Sequence, residues 1–200
     1  REFLDGSWSH DYQFAVSPDE SKIFTLHTTA DENGFTESGA LWRVSDGALL
    51  KKYNIPSLKG SSYAVSSAAD YSPDGRLVAV AGGQSIVVWD VNNQDALYTA
   101  TLPGEEIYDI NFFDNSKLLL TASYGEDFES LYGNHINLWS AKDGRLLASL
   151  PGNVVGSISA RFMDGGRTVV SSGLDEVINF WETPKFDSIT VGPDETYQSI

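Results

Sequence analysis

The sequence predicts an all-β fold made of about four repeated units, each of them a four-stranded antiparallel sheet. Three observations carry this prediction: a recurring tryptophan, short apolar runs separated by turn residues, and the lack of a helical period. Four of the five tryptophans follow one another at intervals of 47, 50 and 42 residues: Trp42, Trp89, Trp139 and Trp181. Intervals of about 40–50 residues are typical of repeat proteins in which each repeat is a small sheet.

Strand-like runs surround each tryptophan in the same order. Each tryptophan ends a short apolar run, and a second run precedes it at residues 23–26, 77–81, 118–122 and 168–172. Turns such as Ser72-Pro73-Asp74-Gly75 come before these runs, because Pro and Asp suit early turn positions and Gly supplies positive φ. A third run precedes each turn, and a fourth follows the tryptophan. No window of about 11–18 residues repeats its apolar positions every 3.6 residues, which argues against helices.

A four-stranded sheet cannot bury both faces alone, and radial packing of successive sheets solves this problem. The sequence therefore predicts a β-propeller as a single domain over residues 1–200, with blades at about 7–54, 55–102, 103–150 and 151–191. Residues 192–200 resemble the start of a further blade. We expect the chain to be part of a propeller of six to eight blades, and a dimer of two four-bladed copies is the alternative.

Two segments carry a resemblance to a known family: Tyr71-Ser-Pro-Asp-Gly through Trp89-Asp90, and Ser171-Ser-Gly-Leu-Asp175 through Trp181. They resemble the WD-repeat (WD40) family. The resemblance implies that a strand Ser or Thr, a turn Asp and the Trp share a hydrogen-bond network with a His from a Gly-His pair. No repeat contains that pair, and Gly104-Glu105 and Gly152-Asn153 stand in its place. The blades are therefore divergent, with structural roles expected for Trp42, Asp74, Trp89, Trp139, Ser171, Asp175 and Trp181.

The net charge of the chain limits the classes of binding partner. The chain has 13 basic and 28 acidic residues, for a net charge of −15. Nucleic acids and anionic membranes are expected to be excluded, because both need clustered Lys and Arg. A basic partner is favoured, although solubility alone would explain an acidic surface. The chain contains no cysteine, which excludes disulfides and thiolate metal sites. The compartment stays open: cytoplasmic is the first expectation, and an exported mature form is the alternative.

The sequence contains no recognisable catalytic motif. The three histidines are not placed at metal-ligand spacing, and the sequence contains neither a nucleophile elbow nor a phosphate-binding glycine loop. We therefore predict a non-enzyme with no cofactor and no metal, acting as a protein-interaction scaffold or regulatory domain that binds a protein or peptide. The alternative is an accessory or catalytic propeller of an enzyme, hydrolase or quinoprotein-like.

Two long insertions are the candidate binding site. Residues 28–39 and 123–134 lie between the second and third strands of the first and third units, and the family resemblance implies that both open on one face. We expect loops there, since binding residues concentrate on loops held by a rigid scaffold. Function-free hairpin tips are one alternative, and calcium ligation by the first insertion is another. The candidate residues mix carboxylates with aromatics: Asp31, Glu32, Phe35, Glu37, Glu126, Asp127, Phe128, Glu129 and Tyr132.

Overall fold

The computed structural model describes residues 12–31, 34–54, 68–93, 95–113, 116–125 and 134–184. These residues form four antiparallel sheets, each built from strands that are consecutive along the chain. The first sheet contains β1 (Tyr12–Val16), β2 (Lys22–Asp31), β3 (Gly34–Arg43) and β4 (Leu49–Asn54). The second contains β5 (Ala68–Tyr71), β6 (Leu77–Gly82), β7 (Ser85–Asp90) and β8 (Ala96–Thr101).

The third sheet contains β9 (Glu105–Phe113), β10 (Leu118–Gly125), β11 (His135–Ser140) and β12 (Leu146–Pro151). The fourth contains β13 (Ser157–Met163), β14 (Thr168–Gly173) and β15 (Ile178–Glu182), with a 3₁₀ turn at Asp164–Gly166 between the first two. The predicted all-β propeller class is confirmed. The outer strand expected near residues 188–191 lies outside the described residues. In the described part of the chain, no helix is long and apolar enough to cross a membrane.

Apolar side chains fill the space between successive sheets. Phe24 of the first sheet and Trp89 of the second have ring centroids 6.4 Å apart, and Tyr53 lies 5.9 Å from the same indole. Equivalent clusters join the second sheet to the third around Ile86 and Trp139, and the third to the fourth around Leu138 and Val169. The four sheets therefore pack as successive blades, and we number them blade 1 to blade 4.

A repeated bulge shapes the outer edge of the first three blades. The pairing register shifts immediately before the tryptophan in each, at Leu41/Trp42, Val88/Trp89 and Leu138/Trp139. A bulge adds one unpaired residue to the partner strand and increases the local twist. The recurring tryptophan therefore marks the place where each outer strand bends.

Serine and aspartate side chains build the turn between the first two strands of blade 2. Ser72 Oγ donates to Asp74 Oδ1 at 2.6 Å and accepts the Leu77 N–H at 2.8 Å. Asp74 also accepts the Arg76 N–H at 3.0 Å, so its carboxylate closes the turn. Blade 1 uses Ser17 and Asp19 in the same way, with a 2.6 Å contact.

Tyrosines of the outer strands connect blade 1 to blade 2 and blade 2 to blade 3. Tyr53 donates its hydroxyl to the carbonyl of Val91 at 3.0 Å, and Tyr98 donates to the carbonyl of Ala141 at 3.1 Å. Burial raises the pKa of Tyr53 to about 12, so the hydroxyl keeps its proton over the physiological range. These contacts reinforce the apolar packing at the periphery.

The first insertion is not a loop, which corrects the expectation from the sequence. β2 and β3 pair continuously from Lys22↔Arg43 to Asp31↔Gly34. Residues 28–31 and 34–39 therefore continue the two paired strands, and strand pairing satisfies their backbone hydrogen bonds. Only residues 32–33, outside the described residues, separate the two strands.

Candidate functional site

One end of blades 3 and 4 gathers three connections, and we call it the loop face. It comprises the end of β10 and start of β11, the connection at residues 152–156, and the turn at residues 174–177. Asn134 Nδ2 donates to the Val154 carbonyl at 3.0 Å, and the Leu174 N–H donates to the Val155 carbonyl at 2.8 Å. Hydrogen bonds therefore hold the three connections together.

The candidate residues in the two insertions are only partly described. Asp31 ends β2 and pairs with Gly34, while Phe35 and Glu37 lie within β3, and only the backbone of these positions is described. The remaining candidates lie outside the described residues: Glu32, Glu126, Asp127, Phe128, Glu129 and Tyr132. Their role in binding a partner stays a prediction.

A continuous network of side-chain hydrogen bonds links the strands and connections of blade 4. Trp181 Nε1 donates to Ser171 Oγ at 3.0 Å, and Ser171 Oγ donates to Asn153 Oδ1 at 2.8 Å. Asn153 Nδ2 then donates to Asp175 Oδ1 at 2.8 Å. Asn153 thus occupies the place that the family resemblance assigns to a His. Sequence reasoning noted Gly152-Asn153 at this place but did not predict Asn153 as a member of the network.

Asp175 anchors the network to the backbone of the loop face. Its carboxylate accepts the N–H of Val154 at 2.8 Å and that of Val177 at 3.1 Å, in addition to Asn153. The Asn153 amide, followed by the backbone donors, holds the pKa of Asp175 below its usual range. The carboxylate thereby fixes residues 152–156 against the 174–177 turn.

Blade 3 closes with a different set of side chains. Glu105 follows Gly104 at the place of the expected His, and its Oε1 lies 2.6 Å from Nδ1 of His135. Ser123 Oγ donates to the other oxygen of the same carboxylate. The hydrogen bond that His135 donates to the Glu105 carboxylate raises the pKa of His135. Sequence reasoning missed this set, and the only available signal was an acid following the glycine.

The tryptophan hydrogen bond recurs in two further blades. Trp42 Nε1 donates to Thr25 Oγ1 at 2.8 Å, and Trp139 Nε1 donates to Thr121 Oγ1 at 2.9 Å. In blade 2 the strand position that would supply the hydroxyl is Val80, which is fully buried opposite Val87. The indole of Trp89 is instead surrounded by the apolar cluster between blades 1 and 2.

Four apolar side chains project from the loop face of blade 4. They are exposed by 63% (Val154), 39% (Val155), 54% (Leu174) and 47% (Val177). The hydrogen bonds given above join the two connections that carry them. The acidic pair Asp175 and Glu176 lies in the same turn. We call this surface the apolar patch, and its members are Val154, Val155, Leu174 and Val177. Sequence reasoning did not identify it, because single valines and leucines in turns carry no motif.

Carboxylates on the inner strands bear on the enzyme alternative. Burial raises the pKa of Asp70, as a catalytic acid would require. Its Oδ2, however, accepts the Phe112 N–H of the next blade at 2.7 Å. Asp109 likewise accepts the Ala160 N–H at 3.1 Å and pairs with Arg161. Both carboxylates therefore bridge neighbouring blades. Among the described residues, no group of three His, Cys, Asp or Glu side chains is arranged to hold a metal ion.

The two outer flanks of the described sheets expose positions that other blades bury. Leu138 of β11 is fully buried against blade 4, whereas its equivalent in β15, Phe180, is 66% exposed. At the opposite flank Phe14 of β1 is 65% exposed, whereas its equivalent in β9, Ile110, is buried against blade 2. The pairing registers define both equivalences.

Comparisons with known proteins agree with this architecture. The family described as WD domain, G-beta repeat matches residues 52–90. A chain in the crystal structure of the mitotic checkpoint complex is similar in fold, with a TM-score of 0.67 at 16% sequence identity. The match covers 90% of this chain and 51% of that one, so this chain spans about half its length. The chain therefore carries a WD repeat at residues 52–90 within a β-propeller fold.

Proposed function

We propose that this chain is a protein-interaction scaffold that binds a protein or peptide partner through the loop face of blades 3 and 4. The apolar patch is the observation that carries the proposal. Val154 and Leu174 are more than half exposed, although their backbones are fixed by hydrogen bonds to neighbouring connections. A surface that is ordered before binding loses little conformational entropy when a partner docks. Exposed apolar groups on such a surface are suitable anchors for a partner.

The partner that fits this surface has basic side chains next to apolar anchors. The chain carries a net charge of −15, and Asp175 and Glu176 lie within the turn that bears Leu174 and Val177. Opposite charge accelerates encounter and selects between partners, while apolar burial supplies affinity. The carboxylates of the two insertions, including Glu37 and Glu126, would extend the acidic surface if they open on the same face.

We also propose that further blades of the same propeller cover the exposed flanks at Phe14 and Phe180. The equivalent positions in the interior blades pack against a neighbouring sheet. A four-bladed arc would otherwise leave two apolar sheet faces in water, which favours aggregation. The alternative is that a second copy of this chain packs against the exposed flanks. Sedimentation of the 200-residue chain distinguishes this alternative from further blades of the same propeller, because self-association would give a dimer.

A peptide-display selection tests the binding proposal. We expect enrichment of peptides that combine Lys or Arg with Leu, Ile, Phe or Trp. Val154→Ser with Leu174→Ser should reduce their affinity by about thirtyfold, since each removes an apolar contact worth about 1 kcal/mol. Val44→Ser is the matched control, because Val44 is exposed beyond the opposite end of β3. Enrichment of acidic peptides, or equal loss in the control, would contradict the proposal.

A further inference from the structure

A partly buried polar cluster lies beneath the loop face at the start of blade 3. Glu105 is 9% exposed, and each of its carboxylate oxygens contacts one side chain. Oε1 lies 2.6 Å from His135 Nδ1, and the other oxygen accepts a hydrogen bond from the Ser123 hydroxyl. Ser123 Oγ also lies 3.0 Å from the carbonyl of His135. We call these three residues the Glu105 cluster. It joins the first residues of β9 and β11 to the far end of β10.

The Glu105 cluster exchanges the acid and the imidazole relative to the family arrangement. The resemblance places a His after the glycine and an acid at the hairpin, whereas here Glu105 follows Gly104 and His135 begins the strand after the hairpin. In blade 4 the same place holds Asn153, a neutral amide bonded to Asp175. An imidazole that can gain or lose charge at physiological pH therefore closes blade 3 but not blade 4.

A short path connects the Glu105 cluster to the apolar patch. Asn134 directly precedes His135, and its side-chain oxygen accepts the Gly125 N–H at 3.1 Å. Its amide nitrogen donates to the Val154 carbonyl at 3.0 Å, and its backbone carbonyl accepts the Gly152 N–H at 2.7 Å. Asn134 therefore links His135 to the connection that carries Val154 through a single residue.

We propose that the Glu105 cluster is a pH-sensitive clasp that orders the loop face in mildly acidic solution and loosens it in alkaline solution. This proposal rests on the proposed function, since it regulates the surface that we assign to the partner. Protonated His135 forms a charged hydrogen bond with Glu105, and such bonds are roughly twice as strong as neutral ones. Neutral His135 keeps at most a weaker contact with the carboxylate.

The other titratable and charged side chains come from the strands packed around the cluster. β9 contributes Glu106, Tyr108 and Asp109, and β10 contributes Tyr124. The neighbouring blades contribute Asp70 of β5 and Arg161 of β13, which pairs with Asp109, and the described part of β12 contributes none. Glu106 alternates to the opposite side of β9 from Glu105, and its carboxylate lies 3.5 Å from the Tyr108 hydroxyl. Glu105 is therefore the carboxylate in contact with His135, and it sets the response of the cluster.

The direction of the pH dependence follows from the raised pKa of His135, for which the Glu105 hydrogen bond is the largest cause. A histidine whose pKa is higher in the folded than in the unfolded state stabilises the fold fully below the unfolded value of about 6.5. That stabilisation is lost as the pH rises through the folded pKa. Each unit of pKa difference corresponds to about a tenfold change in the opening equilibrium. Partial exposure of His135 reduces the effect, so we expect several-fold rather than larger changes.

NMR titration of the imidazole is the direct test, and it needs no partner. His135 should titrate above the ordinary histidine value in the wild-type protein and lower in Glu105→Gln. Glu106→Gln is the matched control and should leave the His135 midpoint nearly unchanged. A wild-type midpoint at or below the ordinary value, or the same midpoint in Glu105→Gln, would overturn the proposal. Failure of the peptide selection would leave this titration unaffected, so the two hypotheses fail separately.

Hydrogen exchange tests the connection to the patch. The Val154 amide, which donates to Asp175 Oδ2 at 2.8 Å, reports on the order of residues 152–156. Its protection factor, corrected for intrinsic exchange, should fall several-fold between pH 6 and pH 8.5 in the wild type and stay constant in His135→Gln. Equal pH dependence in both proteins would refute the clasp. The wild-type titration remains decisive if the variant does not fold.

Discussion

Replacing Asn153 with Asp tests the network of blade 4 with an almost isosteric change. Asn153 is 1% exposed, and its Nδ2 donates to Asp175 Oδ1 and to the Val177 carbonyl, both at 2.8 Å. The new carboxylate still accepts from Ser171 but loses both donations, each worth about 1 kcal/mol. It also places a buried negative charge against the partly exposed carboxylate of Asp175. An uncompensated buried charge raises the cost to about 3–5 kcal/mol at pH 7.

Urea denaturation at several pH values measures this loss. The new carboxyl should have a raised pKa, because burial and its acidic neighbour favour the neutral form. The penalty should therefore shrink near pH 4 and grow as the pH rises towards 7. Asn92→Asp is the matched control, since exposed Asn92 makes a similar amide contact to Asp90 at 3.2 Å. The control should change stability by less than about 0.5 kcal/mol. A comparably small loss in Asn153→Asp, or one independent of pH, would refute the reasoning.

Further substitutions test the same framework. Trp181→Ala should lower the free energy of unfolding by about 3 kcal/mol, as measured by calorimetry. This value is at the lower end for a tryptophan because the indole is only partly buried. Asp175→Ala should lower the urea midpoint by less, since it removes hydrogen bonds without opening a cavity; a larger loss than for Trp181→Ala would contradict this ranking. Gly156→Ala should destabilise by more than about 2 kcal/mol, because φ is +55° and a Cβ would lie 1.9 Å from the Tyr124 ring. Gly104→Ala is its control, with positive φ but open space, and an equal loss in both would show that the ring contact is unimportant.

The blade architecture was predictable because its signals are local and repeated. The intervals between Trp42, Trp89, Trp139 and Trp181 fix one strand in each sheet, and turns such as Ser72 to Gly75 fix the next. Alternation with a period of two then determines which side chains face the neighbouring blade. A repeated fold gives several readings of the same pattern, so a weak match in one blade is supported by the others.

The closing networks were not predictable, because they depend on residues that meet only after folding. Asn153 lies 22 positions before Asp175, and Glu105 lies 30 positions before His135. Because the family resemblance places a His at these positions, its absence suggests that the hydrogen-bond network is broken. The structure shows instead that Asn153 bonds to Asp175 and Glu105 bonds to His135. The sequence predicts a loop at residues 28–39 because the preceding apolar run ends at Leu26. The β-branched and alternating residues on either side of residues 32–33 favour strands instead, with Asp31 and Gly34 as the last pair.

The outer-strand tyrosines have a consequence for synthesis on the ribosome. The hydroxyl of Tyr53 reaches its acceptor only at Val91, 38 residues later, and that of Tyr98 only at Ala141, 43 residues later. A nascent blade therefore stays incompletely bonded at its periphery until nearly a whole following repeat has emerged. We expect the chain to acquire structure from its amino terminus in steps of about one repeat, with the most recently translated blade always the least stable. A codon-dependent pause placed one repeat after Tyr53 would then favour correct docking more than the same pause placed before it.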